Sequence, residues 1–479
     1  MNNNSRKNKD SYWPFRVGVV PALTLALISI VSGLLVTYNK ELPLAILGAF
    51  LLTGWILVVL VNIPIGLGIL LSIRSSLDIT TNIKLPLPGA LTYLNLAGFV
   101  ALAFSLAFIV HAMLKKRLSF PSTCSKLYGL FLVVTFLTVA ISPDPLLSVQ
   151  EWAKMLAPFC VYLVVTETYS LDSRLSGKNF SIVIVILMLA STIPLLLSGY
   201  QFVSNSGNHQ LVGYNRLNGT FPLPNGLAMY LIIVIPVFLS AWELWPGRRQ
   251  RIILFIYILF SIIILLYTFT RTGWFAFAAS LLVLVLFSRK KVGIPIILGC
   301  LLLFGVMGFQ GGLFNRFSDL AGSDYRSSSW YGRLLLWRAV TQPLFEQSPV
   351  LGHGLGSFPL AADSTGLQSV YGKDLPAAHN DYLRLLVETG VVGLSLYLMA
   401  IFSVLLEAWR LIHKHPTAIE KAFAIGFLAV CAGQFVAYAS ENVVAMPVIQ
   451  FYFWALAGVI SGLYVNWRSN LASVDRLNS

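Results

Sequence analysis

The sequence predicts an all-α polytopic membrane protein with about 14 transmembrane helices. Three observations support this fold class: 57% of the 479 residues are hydrophobic, only 11% are charged, and the mean hydropathy is +0.78. Soluble globular domains carry about 25% charged residues, so a soluble enzyme and an intrinsically disordered chain are both excluded. The formal net charge of +14 comes from basic residues between apolar runs, which is typical of cytoplasmic loops and predicts no nucleic-acid partner.

Thirteen apolar runs are long enough to be candidate spans, because a helix needs about 20 apolar residues to cross the hydrocarbon core. In order, they are Val17–Thr37, Leu42–Val61, Gly89–Met113, Lys126–Ile141, Glu151–Thr168, Phe180–Tyr200, Asn225–Trp242, Ile252–Phe269, Thr272–Phe287, Val292–Phe309, Asn380–Leu406, Ile419–Ser440 and Val448–Trp467. Most are apolar all round, as helices embedded in lipid require.

Basic clusters predict the orientation, because cytoplasmic loops are rich in lysine and arginine. From Lys115 onward every second loop is basic, so these loops and the C-terminus are expected in the cytoplasm. The loop Arg74–Pro88 is then outside, and a cytoplasmic N-terminus requires one more crossing, which the short segment Asn62–Ile73 would make. The alternative is thirteen spans with an external N-terminus.

One long external loop divides the chain into three predicted parts. Residues 1–309 would form an N-terminal bundle of about ten spans, and residues 379–479 a C-terminal three-span bundle. The loop itself, residues 310–378, would contain short helices. A connection this long usually carries function.

Four arginines stand at the predicted external edge of the membrane. They are Arg216 in YNRLNGTFPLPNG, Arg271 in TFTRTGW, Arg333 in WYGRLLLWRAV and Arg384 after HND. A single arginine there is explained by snorkelling or phospholipid contact. Several on the side that the positive-inside rule disfavours indicate an anionic headgroup or diphosphate, because a guanidinium group holds phosphate oxygens in bidentate fashion. Trp337 lies four residues after Arg333 and shares its helix face.

His379 is the strongest candidate for a catalytic group. Asn380 or Asp381 can cap the following helix, whose positive dipole end favours a neutral imidazole that acts as a general base near pH 7. The alternative is a capping or water-bound loop histidine. Glu388 within that span and Glu441 at an outer helix end could each pair with an arginine. The four cysteines predict neither a metal site nor a disulfide framework.

Five strings, in order and spacing, resemble the O-antigen ligase and O-antigen polymerase superfamily of bacterial membrane glycosyltransferases. They are RLNGTFPLPNGLAMYL, TFTRTGW, GRLLLWRAV, PVLGHGLGSF and HNDYLRLLVETGVVGLSLYL. The resemblance covers residues 200–400 at motif level, and the hydropathy profile extends it over nearly the whole chain.

The resemblance implies a GT-C-like enzyme that needs no metal or other cofactor and inverts the anomeric carbon. Its donor would be an oligosaccharide on a polyprenyl (undecaprenyl) diphosphate, and its acceptor a hydroxyl of a glycan or lipid A core. Transfer would occur at the outer face of the inner membrane, among membrane lipids. By position, Arg216 and Arg333 match the arginines that hold the diphosphate, Arg271 the arginine of the short turn, and His379 the essential loop histidine. The supporting residues would be Asn380, Arg384, Trp337 and Glu388.

Several alternatives stay open at this point. The sequence does not separate a ligase from a polymerase or from a protein O-glycosylation enzyme. A bicarbonate-like anion transporter of the same superfamily and a non-catalytic envelope scaffold are the other two classes. Few ionisable groups lie in the middle of the spans, and their scarcity disfavours a transporter.

Overall fold

The structure is a computed structural model that describes most of the chain. The described residues are 42–80, 96–114, 119–171, 175–207, 209–211, 214–242, 247–287, 329–366, 377–414 and 417–478. The predicted spans Val17–Thr37 and Val292–Phe309 lie outside them, and so does much of the predicted long loop.

These residues are almost entirely helical. The helices are α1 (Leu42–Val61), α2 (Ile63–Ile73), α3 (Leu96–Leu114), α4 (Thr123–Leu137), α5 (Pro145–Leu171), α6 (Leu175–Ser204), α7 (Pro224–Ala241), α8 (Arg248–Tyr267), α9 (Arg271–Phe287), α10 (Ser329–Leu336), α11 (Gln342–Gln347), α12 (Ser357–Ser364), α13 (Asp381–Lys414), α14 (Ala418–Tyr438) and α15 (Pro447–Asn478). A π-helical turn, Trp337–Thr341, joins α10 to α11. Two short strands, β1 (His209–Leu211) and β2 (Tyr214–Arg216), form an antiparallel hairpin.

The fold class predicted from the sequence, an all-α polytopic membrane protein, is confirmed. In the described part of the chain, eight helices are long and apolar enough to cross a membrane, and α9 is a shorter apolar helix. Helix α2 has 11 residues and is therefore roughly 16 Å long, against about 30 Å of hydrocarbon. A full crossing at Asn62–Ile73 and the total of 14 spans stay predictions.

The packing divides the chain into two compact units. The smaller unit takes its described residues from 1–67 and 103–117, and the larger from 68–102 and 118–479. In the smaller unit, Trp55 donates a hydrogen bond from Nε1 to the carbonyl of Gly66 (2.9 Å) and its ring lies 6.4 Å from that of Phe104. Every candidate site residue lies in the larger unit. The three parts predicted from the sequence had boundaries at 310 and 379 because these residues mark the ends of the long loop, and that division stays a prediction.

The core of the larger unit forms around α7 and α15. In the most apolar 18-residue window of each helix, 89% of the residues of α7 and 83% of those of α15 are buried. Both helices are therefore surrounded by protein. Helix α15 packs along α5, α14 packs against α7 and α9, and α13 packs against α4 and α14. At the α4–α13–α15 contact the ring of Tyr128 lies 4.3 Å from Trp454 and 6.1 Å from Tyr397.

Helix α13 is broken at Gly390, where φ is +64° and ψ is −172°. A break inside an apolar helix leaves backbone groups without helical partners, which is costly away from water. A loop from the segment before α12 supplies those partners. Val391 donates its N–H to the carbonyl of Pro349 (2.9 Å), and His353 donates its N–H to the carbonyl of Val387 (3.1 Å). The break is therefore stabilised by specific hydrogen bonds from the rest of the fold.

Replacing Gly390 with alanine is expected to destabilise the protein. A Cβ at this position would lie 2.2 Å from the carbonyl oxygen of Val350, and the left-handed φ disfavours any side chain. We expect a loss of about 2 kcal/mol or more in the free energy of unfolding, measured as a lower thermal midpoint of the detergent-solubilised protein. The matched control is Gly54→Ala, where a Cβ would meet nothing within 4 Å. An unchanged midpoint for Gly390→Ala would show that the break in α13 does not require glycine at this position.

Candidate functional site

Polar side chains gather at one end of the larger unit, where α7, α9, α13 and α15 begin and α8 and α14 end. We call this group the polar cluster. Its members come from five separate segments and are linked by hydrogen bonds or charge interactions. They are Arg216, Asn225, Thr270, Arg271, Arg333, His379 and Glu441.

Arg216 is fixed in place by three hydrogen bonds. It ends strand β2, and its Nε donates to the carbonyl oxygen of Thr268 at the end of α8 (2.8 Å). Its Nη2 donates to Oδ1 of Asn225 (2.7 Å) and to Oγ1 of Thr270 (3.0 Å). The contact with Thr268 satisfies a carbonyl that the helix end leaves without an intrahelical partner. The guanidinium group is therefore held in a fixed orientation within the cluster.

Arg271 is the first residue of α9. A positive side chain at a helix N-terminus opposes the helix dipole, which favours anions there. The turn before it is sharp, since Phe269 has a positive φ of +49°. An anion bound at this end of α9 would be favoured by the helix dipole and by Arg271 together. Arg271 at this position is therefore unfavourable when no anion is bound at the N-terminus of α9, and favourable when one is bound.

Arg333 approaches the cluster from α10. Its Nη1 donates a hydrogen bond to the carbonyl oxygen of Ser440 (2.8 Å). Burial lowers the pKa of the Arg333 guanidinium from its usual value, the nearby Glu441 carboxylate raises it, and Arg271 lowers it. Two arginines thus lie close enough to repel each other, and a bound anion would relieve that repulsion.

His379 sits on a backbone that is held from both sides. On one side Trp337 donates from Nε1 to the carbonyl oxygen of Ala378 (2.7 Å). On the other, Asn380 is the residue that caps α13, since its Oδ1 accepts the N–H of Leu383 (3.1 Å). His379 has a φ of +47°, a left-handed conformation that costs energy and that surrounding structure must enforce. Asn380 and Trp337 therefore both set the position of the imidazole.

Glu441 joins the histidine to the arginines. Its Oε2 lies 3.8 Å from Nδ1 of His379, and its side chain is only 5% exposed. Its Oε1 accepts a hydrogen bond from Nδ2 of Asn225 (2.9 Å), whose Oδ1 accepts from Arg216. Nδ1 of His379 is buried and has no hydrogen-bond partner among the described residues. The 3.8 Å separation is longer than a hydrogen bond, so the two groups face each other at the distance of a charge interaction.

The segment that carries Glu441 is itself anchored to α13. Asp381, the first residue of α13, accepts the N–H of Val444 on its Oδ2 (2.9 Å). Gln450 in α15 donates from Nε2 to the carbonyl oxygen of Val443 (3.1 Å). The residues that position His379 and those that position Glu441 thus meet at the start of α13.

Arg384 and Glu388 form a buried ion triad with Glu151. Arg384 donates from Nη2 to Oε2 of Glu151 (2.9 Å) and from Nε to Oε2 of Glu388 (3.2 Å). Glu151 also pairs with Lys154. All three members of the triad are buried, and removing one partner from such a group leaves an uncompensated charge. These contacts favour a role in holding α13 against α5; their predicted supporting role at the site stays a prediction.

The described part of the site contains no metal-binding arrangement of side chains. Among these residues no group of three or more histidine, cysteine, aspartate or glutamate side chains could hold a metal ion. In this part of the molecule, three arginines against one carboxylate leave a surplus of two positive charges in the polar cluster. Independence from a metal stays a prediction.

Sequence reasoning missed two members of the cluster and undervalued a third. Asn225 and Thr270 lie inside the strings RLNGTFPLPNGLAMYL and TFTRTGW, but neither was singled out as a site residue. Glu441 was a candidate partner for an arginine; it interacts electrostatically with Arg333 and also contacts Asn225 and faces His379. The available signal for Asn225 was its position in the same external stretch as Arg216.

The fold and the polar cluster define a polytopic membrane protein with a cationic site at one end of its helices. A sequence model of the O-antigen ligase family matches residues 255–398, a stretch that includes Arg271, Arg333 and His379. The resemblance to O-antigen ligases predicted from the motifs is confirmed over this region. Arg216 and Glu441 lie outside the matched residues.

The chain is also similar to a Rickettsia conorii protein named "Putative polysaccharide ligase". The two are 27% identical over 138 residues, which is 28% of this chain and 29% of the relative. This match covers less than a third of either protein, so the similarity concerns one region and not the whole molecule.

Replacing Glu441 with glutamine is expected to strengthen anion binding at the polar cluster. Glutamine keeps an acceptor for Asn225 but removes the negative charge near Arg333. We expect inorganic pyrophosphate to bind about tenfold more tightly at low salt, measured by calorimetry on protein in nanodiscs. The control is Glu346→Gln, an exposed acid of α11, which should leave the affinity unchanged. Weaker or unaltered binding in Glu441→Gln would show that the anion does not bind beside Glu441.

Proposed function

We propose that this protein is a membrane glycosyltransferase of the O-antigen ligase or polymerase type. It transfers a glycan from a polyprenyl (undecaprenyl) diphosphate donor onto an acceptor hydroxyl of a glycan or lipid A core. The observation that carries the proposal is the joining of Arg216, Arg333, His379 and Glu441 in one cluster within a chain that matches the O-antigen ligase family. The GT-C-like architecture is part of the same proposal.

The three arginines of the polar cluster would bind the diphosphate of the donor. Arg216 and Arg333 are each held by hydrogen bonds to backbone carbonyls, so little side-chain freedom is lost when they bind. Charge that develops on the leaving diphosphate is stabilised most by groups that are already oriented toward it. The arginines thereby supply the counter-charge for departure of the leaving group.

His379 would accept the proton of the acceptor hydroxyl. The acceptor oxygen attacks the anomeric carbon, and the bond from that carbon to the diphosphate oxygen breaks, with its electron pair leaving on the diphosphate. Nδ1 of His379 faces Glu441, so Nε2 is the atom that takes the proton. Glu441 then stabilises the imidazolium that forms. A single in-line displacement of this kind inverts the anomeric carbon.

The charge distribution along α8 supports an external site. Arg248, Arg249 and Arg251 are exposed at the start of α8, whereas the end of α8 carries the carbonyl that binds Arg216. Basic helix ends face the cytoplasm, so the polar cluster would open on the periplasmic or extracellular side of the inner membrane. Helix α15 begins at the same end as the cluster, so the C-terminus would then be cytoplasmic, and we propose the same side for the N-terminus.

Replacing His379 with asparagine is expected to abolish transfer while donor binding survives. Asparagine is chosen because it tolerates a left-handed backbone, so the loop is preserved. Loss of a general base lowers the rate by roughly 100-fold to 10,000-fold. The assay follows release of polyprenyl diphosphate from a synthetic lipid-linked oligosaccharide in nanodiscs.

The control for this experiment is His413→Asn, since His413 is exposed near the opposite end of α13. Full transfer by His379→Asn would remove His379 as the base. If the wild-type protein transferred no glycan but proteoliposomes took up labelled bicarbonate, the transporter alternative would replace the proposed enzyme.

Replacing Arg333 with glutamine is expected to weaken donor capture. Loss of a charge-assisted contact costs about 1.5–3 kcal/mol, which corresponds to roughly 10-fold to 150-fold in the dissociation constant of polyprenyl diphosphate. Arg338→Gln is the matched control, because Arg338 lies in the adjoining π-helical turn and is exposed. Equal affinity in the two variants would exclude Arg333 from the diphosphate site.

A further inference from the structure

Asn225 is the second residue of helix α7 and follows Pro224, whose fixed φ suits the first position of a helix. The chain that leads into α7 is held as well, because Asn218 donates from Nδ2 to the carbonyl oxygen of Phe221 (2.6 Å). Helix α7 itself is surrounded by protein. The backbone of Asn225 is therefore fixed to the core of the larger unit.

The side-chain amide of Asn225 is oriented by its neighbours. Its Oδ1 accepts hydrogen bonds from Nη2 of Arg216 (2.7 Å) and from Oγ1 of Thr270 (3.3 Å), and its Nδ2 donates to Oε1 of Glu441 (2.9 Å). A guanidinium group only donates hydrogen bonds, and an ionised carboxylate only accepts them. The reverse orientation of the amide would set donor against donor at Arg216 and acceptor against acceptor at Glu441.

This amide separates two opposite charges. A guanidinium group and a carboxylate in direct contact form a bidentate ion pair, which is stronger where water is scarce. A direct pair between Arg216 and Glu441 would cancel the charge that the arginine offers to an anion. It would also draw the carboxylate away from His379. The amide of Asn225 gives each charged group a hydrogen bond without cancelling either charge.

The two oxygens of the Glu441 carboxylate are divided between two neighbours. Oε1 accepts the hydrogen bond from Asn225, and Oε2 lies 3.8 Å from Nδ1 of His379. Because the side chain of Glu441 is only 5% exposed, solvent competes little for either oxygen. The bond from Asn225 to one oxygen therefore orients the other oxygen toward the histidine.

We infer that Asn225 is a positioning residue that keeps the positive charge of Arg216 available to an anionic substrate group and holds the negative charge of Glu441 beside His379. The inference rests on the proposed function and adds a requirement to it. The carboxylate has to lie on the histidine side of the amide, because on the other side it would neutralise the arginine. A variant in which the amide and the carboxylate exchange places tests this requirement.

The exchange variant combines Asn225→Asp with Glu441→Gln. Its introduced carboxylate can accept the hydrogen bonds of Arg216 and Thr270, and its introduced amide can donate across the same gap. The net charge and the number of hydrogen bonds stay as in the wild-type protein. Only the position of the negative charge changes, from beside His379 to beside Arg216. The single variant Asn225→Asp, in contrast, sets two carboxylates against each other without a donor between them.

Thermal stability shows whether the exchange repairs the contact. For the full-length protein in nanodiscs, we expect Asn225→Asp to lower the thermal midpoint and the exchange variant to have a midpoint near that of the wild-type protein. A midpoint no higher in the exchange variant than in Asn225→Asp would overturn the inference, because the exchange restores every hydrogen bond that we assign to the amide.

Anion binding tests the arginine side of the amide. Calorimetry with inorganic pyrophosphate should give an affinity about tenfold lower for the exchange variant than for the wild-type protein, because the introduced carboxylate neutralises Arg216. Glu441→Gln alone, which removes the negative charge, should bind pyrophosphate more tightly than either. Equal affinity in the exchange variant and the wild-type protein would overturn the inference, since the position of the charge would then not matter.

Glycan transfer tests the histidine side. In the assay that follows release of polyprenyl diphosphate, the exchange variant should lose about 100-fold in kcat, because no carboxylate faces His379 any longer. A merely structural role for Asn225 predicts an unchanged kcat, since its hydrogen bonds are all restored. A wild-type kcat in the exchange variant would therefore overturn the inference while the proposed function stands.

The matched control makes the same two chemical changes at exposed positions, Asn62→Asp combined with Glu346→Gln. It should leave the midpoint, the pyrophosphate affinity and kcat unchanged. If the wild-type protein binds pyrophosphate but transfers no glycan to any acceptor, the proposed function fails, and the pyrophosphate affinities still decide whether Asn225 separates the two charges. Absence of pyrophosphate binding in the wild-type protein would overturn the inference.

Discussion

The buried carboxylate of Glu441 is the group on which the polar cluster depends. It accepts a hydrogen bond from Asn225, faces His379 at 3.8 Å, and offsets the effects of burial and of Arg271 on Arg333. Without this charge, the arginines would repel one another in a poorly solvated place. Its presence keeps them together before a substrate arrives. The same carboxylate can then stabilise the protonated histidine, so one group serves both the resting site and the proposed reaction.

A second constraint is that backbone groups within the membrane must find partners. Helix α13 breaks at Gly390, and the segment from Pro349 to Gly354 bonds to the exposed backbone on both sides of the break. The start of α13 is held by the Asn380 cap and by the bond from Val444 to Asp381. These anchors explain how residues from distant segments reach one site: most of them lie at or beside helix ends, and the helix ends are tied to one another.

Hydropathy predicted the helices well, because a helix embedded in lipid needs a continuous apolar stretch and such a stretch is visible in neighbouring residues of the sequence. Eleven of the thirteen predicted spans fall on described helices, and Leu42–Val61 coincides with α1. The break at Gly390 escaped this reasoning, since a glycine in an apolar run changes hydropathy little. The contact of Asn225 with Glu441 also escaped it, because the two residues are 216 positions apart and only tertiary packing joins them. His379 and the arginines were predictable as chemical types in unusual places, whereas their partners were not.

The proposed chemistry requires that the polar cluster bind the lipid-linked diphosphate. Cryo-electron microscopy of the protein in nanodiscs with polyprenyl diphosphate tests it most directly. We expect density for the two phosphates between Arg216, Arg271 and Arg333, with His379 beside the phosphate that carries the glycan in the donor. Phosphate density elsewhere in the molecule, or a cluster left unoccupied at saturating ligand, would contradict it.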